Sequence, residues 1–172
     1  VLCVDKTGTL TTARMTIARV VAEDELHLMD LAIHCNNAYL DEKGGVIGSP
    51  TDVALFSSVL KSGFKRHRKR LEYMPFSQER NYLAALYPGL LIVNGAPEVI
   101  LGISKMNDET REKHKKEIVR LTKEGFRVIA LASRDLNKEE EDGVMKSAFA
   151  EHNFQNMRFA GLVALQDPLR AG

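Results

Sequence analysis

Apolar positions along the chain change period several times, and each change marks an element. Residues 15–21 (Met-Thr-Ile-Ala-Arg-Val-Val) are β-branched and partly alternating, which predicts a strand. From 25 to 37 the spacing turns helical, with Leu28, Leu31, Ala32 and Cys35 on one face. Residues 41–48 read as a loop or turn. Gly44, Gly45 and Gly48 follow no strand directly and make no dinucleotide fingerprint. Ser49-Pro50-Thr51-Asp52 is a helix start: Ser49 caps, Pro50 suits the first position and Asp52 favours the positive end. Val53, Phe56, Val59 and Leu60 give that helix a buried stripe, and Gly63 stops it.

Three short strands follow at 71–75, 82–87 and 90–94, the last two joined through Pro88-Gly89 as a hairpin. Gly95-Ala96-Pro97-Glu98 opens a short helix through Leu101. Asp108 is placed to cap a long charged helix that runs to Glu124 and stops at Gly125. Residues 126–133 form an apolar strand with one charge, Arg127. The acidic stretch 139–142 precedes a weak helix to about His152, and 159–165 is a final buried strand before Asp167-Pro168. Strands and helices mix without strict βαβ alternation, so the predicted body is α+β with a mostly antiparallel sheet.

Composition narrows the setting. Of 172 residues, 44% are hydrophobic and 27% charged, which suits one globular domain, or one with fragments of another. A net charge of +1 gives no global electrostatic reason for a nucleic-acid partner. The basic run at 65–70 (Lys-Arg-His-Arg-Lys-Arg) has no interleaved aromatic residue and reads as a solvated face. Two cysteines, Cys3 and Cys35, make no disulfide framework, and a reducing setting is expected. No run approaches the roughly 18 apolar residues of a membrane span. The chain lacks an initiator Met and begins inside an apparent strand, which suggests a piece of something longer.

That opening carries the chemistry. Val1-Leu2-Cys3-Val4 reads as a buried strand delivering the Asp5 carboxylate to a sheet edge, where α/β folds collect ligands. Gly8 and the flanking hydroxyls allow a tight loop able to approach a phosphate. Asp5 is therefore a candidate nucleophile for phosphoryl transfer, against the alternative of a strand-end Asp capping a turn. Both ends of the chain are apolar strands followed by an acid, as expected if they share a neighbouring α/β domain into which the body is inserted.

Asp5-Lys6-Thr7-Gly8-Thr9-Leu10-Thr11 resembles the phosphorylation signature of P-type ATPases, the cation pumps with an aspartyl-phosphate intermediate. Five further stretches resemble the family in its order. They are Gly48-Ser49-Pro50-Thr51-Asp52-Val53-Ala54-Leu55, Pro75-Phe76-Ser77-Gln78-Glu79-Arg80, Asn94-Gly95-Ala96-Pro97-Glu98, Gly125-Phe126-Arg127-Val128-Ile129-Ala130, and residues 161–170 ending Gln166-Asp167-Pro168-Leu169-Arg170. The first two of these resemble the calcium- and sodium/potassium-pump branch. The heavy-metal branch uses a His-Pro pair, and none of the five histidines here precedes Pro.

The resemblance implies a nucleotide-binding domain at 13–158. It implies a strand and hinge of a haloacid-dehalogenase-like phosphorylation domain at 1–12 and a return hinge at 159–172. It implies ATP and Mg²⁺ as cofactors, with Asp5 taking the phosphoryl group, Thr7 and Asp5 holding Mg²⁺, and Lys6 and Thr9 facing the phosphate. The remaining phosphorylation domain, an actuator domain and transmembrane helices would be its partners in a pump, with this part cytoplasmic. In the nucleotide site the resemblance implies Phe76 stacked on adenine, Asp52 near the adenine amino group, and Gly95 close to the ligand. Arg127 would reach the phosphates, Arg80, Asn81 and Asn94 would lie nearby, and Asp167 with Arg170 would sit at the hinge. From the residues alone, Phe76 reads rather as an ordinary core ring after a strand, and Asp52 as a helix-start acid, a role compatible with the other.

Asn94 and Asn81 stand where the family usually has Lys, which should weaken phosphate attraction while keeping hydrogen-bond donors. Thr7 stands where dehalogenase-like phosphatases usually keep a second acid. It cannot do acid–base work at neutral pH, which disfavours a phosphatase with an inserted cap. A non-catalytic ATP-binding module is the other alternative. The family's later Mg²⁺-binding acids do not follow Arg170, so the chain alone is expected to bind ATP weakly without turnover.

Overall fold

A computed structural model describes residues 15–63 and 65–167. Asp5, Lys6, Thr7, Thr9 and Arg170 lie outside the described residues. The elements in order are β1 (Thr16–Val21), α1 (Glu25–His34), β2 (Tyr39–Leu40), β3 (Val46–Ile47), α2 (Pro50–Lys61), β4 (Glu72–Met74), β5 (Tyr82–Tyr87) and β6 (Leu90–Gly95). They continue with α3 (Pro97–Ile103), α4 (Asp108–Lys123), β7 (Arg127–Asp135), α5 (Lys138–Lys146), a 3-10 turn (Glu151–Phe154) and β8 (Arg158–Gln166).

Six strands form one antiparallel sheet in the order β1-β8-β7-β6-β5-β4. Along β5, Leu83, Ala85 and Tyr87 turn to the α1–α2 side, while Ala84 and Leu86 turn to the side carrying α3, α4 and α5. Helices cover both faces, so every residue of β5 and β6 is buried. This explains why those strands are continuous apolar runs, whereas a one-sided antiparallel sheet would alternate. The expected α+β class and antiparallel sheet are what the structure shows.

β8 runs between β1 and β7, and its Leu162, Val163, Ala164 and Leu165 belong to the two cores. Residues 158–166 are thus part of the sheet of the body itself. β8 has Gly161 at φ 152, where a Cβ would lie 2.6 Å from the Val21 carbonyl oxygen and 2.8 Å from Ala22 Cβ. Only glycine lets β1 lie this close.

Local chemistry moved several boundaries. α1 ends at His34 rather than near 37, because Cys35 donates its N–H to the Leu31 carbonyl and leaves helical geometry. The loop expected at 41–48 is a miniature hairpin, with Tyr39 opposite Ile47 and Leu40 opposite Val46. Asn107, not Asp108, caps α4: its side chain accepts from the Thr110 N–H at 2.8 Å, and Asp108 becomes a first-turn acid. The acidic stretch 139–142 lies inside α5, which begins with a reciprocal capping box between Asn137 and Glu140. That helix stops at Lys146, well before His152, and Ala148 and Phe149 follow with positive φ.

The basic run is mostly the solvated face expected, with Lys65, His67, Arg68 and Lys69 exposed, but Arg66 and Arg70 are half-buried and turn inward. Arg66 donates to the Ile33 carbonyl at 3.1 and 3.0 Å and to the Asn36 carbonyl at 2.9 Å, so it caps the C-terminal end of α1. Its guanidinium also lies 5.3 Å from the centroid of Phe56 on α2. Arg68 reaches Asp30 at 3.6 Å.

Candidate functional site: a cleft at the ends of the central strands

A cleft of about 690 Å³ opens where β4, β5, β6 and β7 meet the start of α2 and the end of α4. This volume lies within the range of small-ligand sites. Residues far apart in sequence line it: Asp52 from α2, Tyr73 and Phe76 from and after β4, Asn81 before β5, Asn94 and Gly95 from β6, and Arg127 from β7. Sheet register accounts for the gathering. Tyr82 pairs with Gly95, which in turn pairs with Ala130, so these strand ends lie side by side.

Phe76 is 50% exposed, which rules out the core reading of its ring. A large apolar face held open on a cleft wall is a surface for a flat ligand. The backbone beside it is fixed by a tight turn. Asn81 donates its N–H to the Ser77 carbonyl at 2.8 Å, and the Asn81 carbonyl accepts from Ala96 at 2.8 Å. Asn81 sits at φ 59, a left-handed conformation that Asn tolerates better than most side chains. Arg80 is not among the cleft-lining residues. It closes the same turn from behind, donating its N–H to Ser77 Oγ at 3.3 Å and a guanidinium N–H to the Pro75 carbonyl at 3.4 Å.

Asp52 is held by its own helix start. Ser49 Oγ donates to Asp52 Oδ2 at 2.8 Å and accepts from the Asp52 N–H at 3.2 Å. Capping and a cleft-facing position therefore coexist. Asn94 is only 4% exposed and donates its amide to the Cys35 carbonyl at 3.3 Å, so one donor is committed inside the protein. Gly95 is required by the protein itself. A Cβ there would run into the Asn81 carbonyl and would lie 2.5 Å from Tyr82 Cβ and 2.6 Å from Tyr82 Cα. Arg127 is exposed at the start of β7, so it has no buried charge to satisfy and is free to face solvent or a ligand. It is the one cation among the described lining residues, against the carboxylates of Asp52 and Glu98.

Residues 26–172 match the family described as P-type ATPase, cytoplasmic domain N. The chain belongs to this family. It is 25% identical to Calcium-transporting ATPase 1 of Lactococcus lactis, over 99% of this chain and 22% of that protein. A probable cation-transporting P-type ATPase of Mycoplasma genitalium is 28% identical, over 99% of this chain and 20% of its own length. The sodium/potassium-transporting ATPase subunit alpha-1 of Oreochromis mossambicus is 27% identical, over 99% and 22%. The chain thus spans about a fifth of the length of these relatives. No helix among the described residues is long and apolar enough to cross a membrane.

The N-domain cleft also contains residues that sequence reasoning missed. Asn37, Tyr73, Thr122 and Phe126 all line it. Burial and the nearby Asp52 carboxylate push the Tyr73 phenol up to about 12, so its hydroxyl stays a proton donor. Asp167, half-buried just past β8, is not among the lining residues.

A second hollow of about 1290 Å³ lies along α4 and the ends of β1 and β8, and holds none of the expected site residues. Asp30, His34 and His67 also cluster, with His34 Nδ1 and His67 Nδ1 at 3.4 and 3.8 Å from Asp30 Oδ1. Both ring nitrogens of His34 are engaged within the protein. Its Nε2 faces the N–H groups of His67 and Arg68, both at 3.4 Å, so the proton sits on Nδ1 and is donated to the Asp30 carbonyl at 2.7 Å. The cluster is a hydrogen-bonded clasp.

Proposed function

We propose that this chain is the nucleotide-binding part of a cation-transporting P-type ATPase, and that the cleft around Phe76 holds the adenosine of ATP. The observation that carries this reading is a half-exposed aromatic ring in a cleft lined by Asp52, Asn81, Asn94, Gly95 and Arg127. Phe76 stacks on the base, Asp52 accepts from the adenine amino group, and Arg127 reaches toward the phosphates. Glu98 and Asp52 offset the single guanidinium, which favours weak ATP binding. Arg80 contributes by holding the Phe76 turn rather than by touching the nucleotide.

In the parent pump, Asp5 attacks the γ-phosphorus of ATP and ADP leaves. Lys6 and Thr9 face the transferred group, and Asp5 with the Thr7 carbonyl would hold Mg²⁺, which would supply charge neutralisation at the phosphate. Thr7 lacks an acid's ability to activate water, so the aspartyl phosphate persists between conformational steps. Residues 1–12 and those after the sheet's last strand belong to the haloacid-dehalogenase-like phosphorylation domain, with Asp167 and Arg170 at the return hinge. This part is cytoplasmic; the actuator domain and transmembrane helices of the pump are its partners, and nucleic acid is not.

Calorimetric titration of the 172-residue chain with ATP, AMP and adenosine tests the reading. All three should bind, with affinities close together because most contacts go to the base. Binding of ATP without measurable adenosine binding would contradict it.

A further inference from the structure

The geometry points to Arg70 as the positioning residue of the base-facing wall of this cleft, an inference that rests on the nucleotide reading above. Arg70 is not among the lining residues, yet it reaches two that are, Tyr73 and Asn37, and the buried Asn36 behind them. Its guanidinium lies 4.3 Å from the centroid of the Tyr73 ring. One N–H is donated to the Asn36 carbonyl at 3.3 Å and another to Asn37 Oδ1 at 3.4 Å. Tyr73 and Asn37 both line the cleft.

Asn36 extends the link. It is fully buried, and its Nδ2 donates to the Asp52 carbonyl at 3.0 Å. Its Oδ1 accepts from the Ala38 N–H at 2.7 Å, so the side chain is held at both ends. Arg70 therefore ties together strand β4, the segment after α1 and, through Asn36, the first turn of α2 that presents Asp52. None of these three is a sheet neighbour of another. A planar guanidinium stacks on a ring and forks to two acceptors at once, which an ammonium cannot do.

The base behind Arg70 is itself anchored. Arg66 shares the Asn36 carbonyl with Arg70 and grips Ile33, while His34 Nε2 accepts the N–H groups of His67 and Arg68. The segment 65–70 is thus clamped to the end of α1, and Arg70 projects from a fixed mount. Arg70 moves the wall, not the phosphates, so its loss should affect a ligand without phosphate as much as one with three.

The test is calorimetric titration of wild type, R70A, R70K, Y73A and R70A/Y73A with adenosine and with ATP, with F76A as reference. R70A should weaken both ligands by the same factor, roughly three- to tenfold, from a lost cation–π contact and two hydrogen bonds. R70K should recover less than half of that loss. The double variant should be no weaker than the worse single one, a coupling that general destabilisation would not give. If R70A does not fold, R70K carries the test, and an adenosine affinity equal to wild type overturns the inference. ATP weakened with adenosine unchanged would make Arg70 a phosphate contact and overturn it too. Loss of the F76A effect, by contrast, would overturn the nucleotide reading itself.

Discussion

Removing the ring of Phe76 separates a binding role from a structural one, because the structure assigns the two very different sizes. The ring is 50% exposed. A Phe→Ala change in a full core costs about 3–5 kcal/mol, so a half-exposed ring should cost about 2 kcal/mol or less in stability. Base stacking on an aromatic side chain is worth about 1–3 kcal/mol. At one decade per 1.4 kcal/mol, F76A should raise the Kd for adenosine and for ATP by roughly 5- to 150-fold, equally for both. Calorimetry supplies the affinities, and urea unfolding on the same samples supplies the stability. Affinities within twofold of wild type, or weakening confined to ATP, would refute the argument that this face meets the base.

Three other outcomes are expected. G95A should destabilise by about 1–3 kcal/mol or more, read from urea midpoints, since its Cβ meets Asn81 and Tyr82 backbone that has no room to shift. N94K should tighten ATP more than adenosine by adding an ammonium beside the phosphates; it should also lose stability by about 1–3 kcal/mol, because the buried Cys35 carbonyl loses its donor, and equal effects on both ligands would count against this position. Burial holds the His34 imidazole below its ordinary value of 6.5, so as pH falls through that value the unfolded chain takes up a proton that the folded one refuses. Stability is therefore full above about pH 6.5 and declines below it, by at most about 1.4 kcal/mol per pH unit for this group. His114, also lowered by burial, adds in the same direction. H34Q should flatten the acid limb of the urea midpoint against pH, and an unchanged limb would show that His34 is not titrating there.

Several roles set by near neighbours were readable in the sequence, though the Asn107 cap, the Asn137–Glu140 box and the 39–47 hairpin, equally local, were not. The start of α2 at Ser49-Pro50, the two-residue turn at Pro88-Gly89 and the apolar strands 82–87 and 90–95 need nothing beyond local spacing and capping. The Phe76 and Gly95 stretches pointed to the cleft through family resemblance, and both line it. What else stayed hidden depends on residues some thirty positions away. Arg66 and Arg70 look like part of a solvated run until the carbonyls of Ile33 and Asn36 come within reach. The roles of Asn36 and Tyr73 likewise arise only when the end of α1, the start of α2 and β4 converge. Gly95 illustrates a subtler gap: its lack of a side chain is demanded by Asn81 and Tyr82, whatever the ligand. The strand expected at 159–165 reads as a separate end piece in sequence because nothing local says that it slots between β1 and β7.

The most direct measurement is a ¹H–¹⁵N NMR titration of the 172-residue chain with adenosine and then ATP. The account predicts shifts gathered on Asp52, Tyr73, Phe76, Asn81 and Gly95 with adenosine, extending to Arg127 with ATP. Shifts gathered instead along the α4 hollow, on Glu23, His114 and Phe159, or none at millimolar ligand, would contradict it.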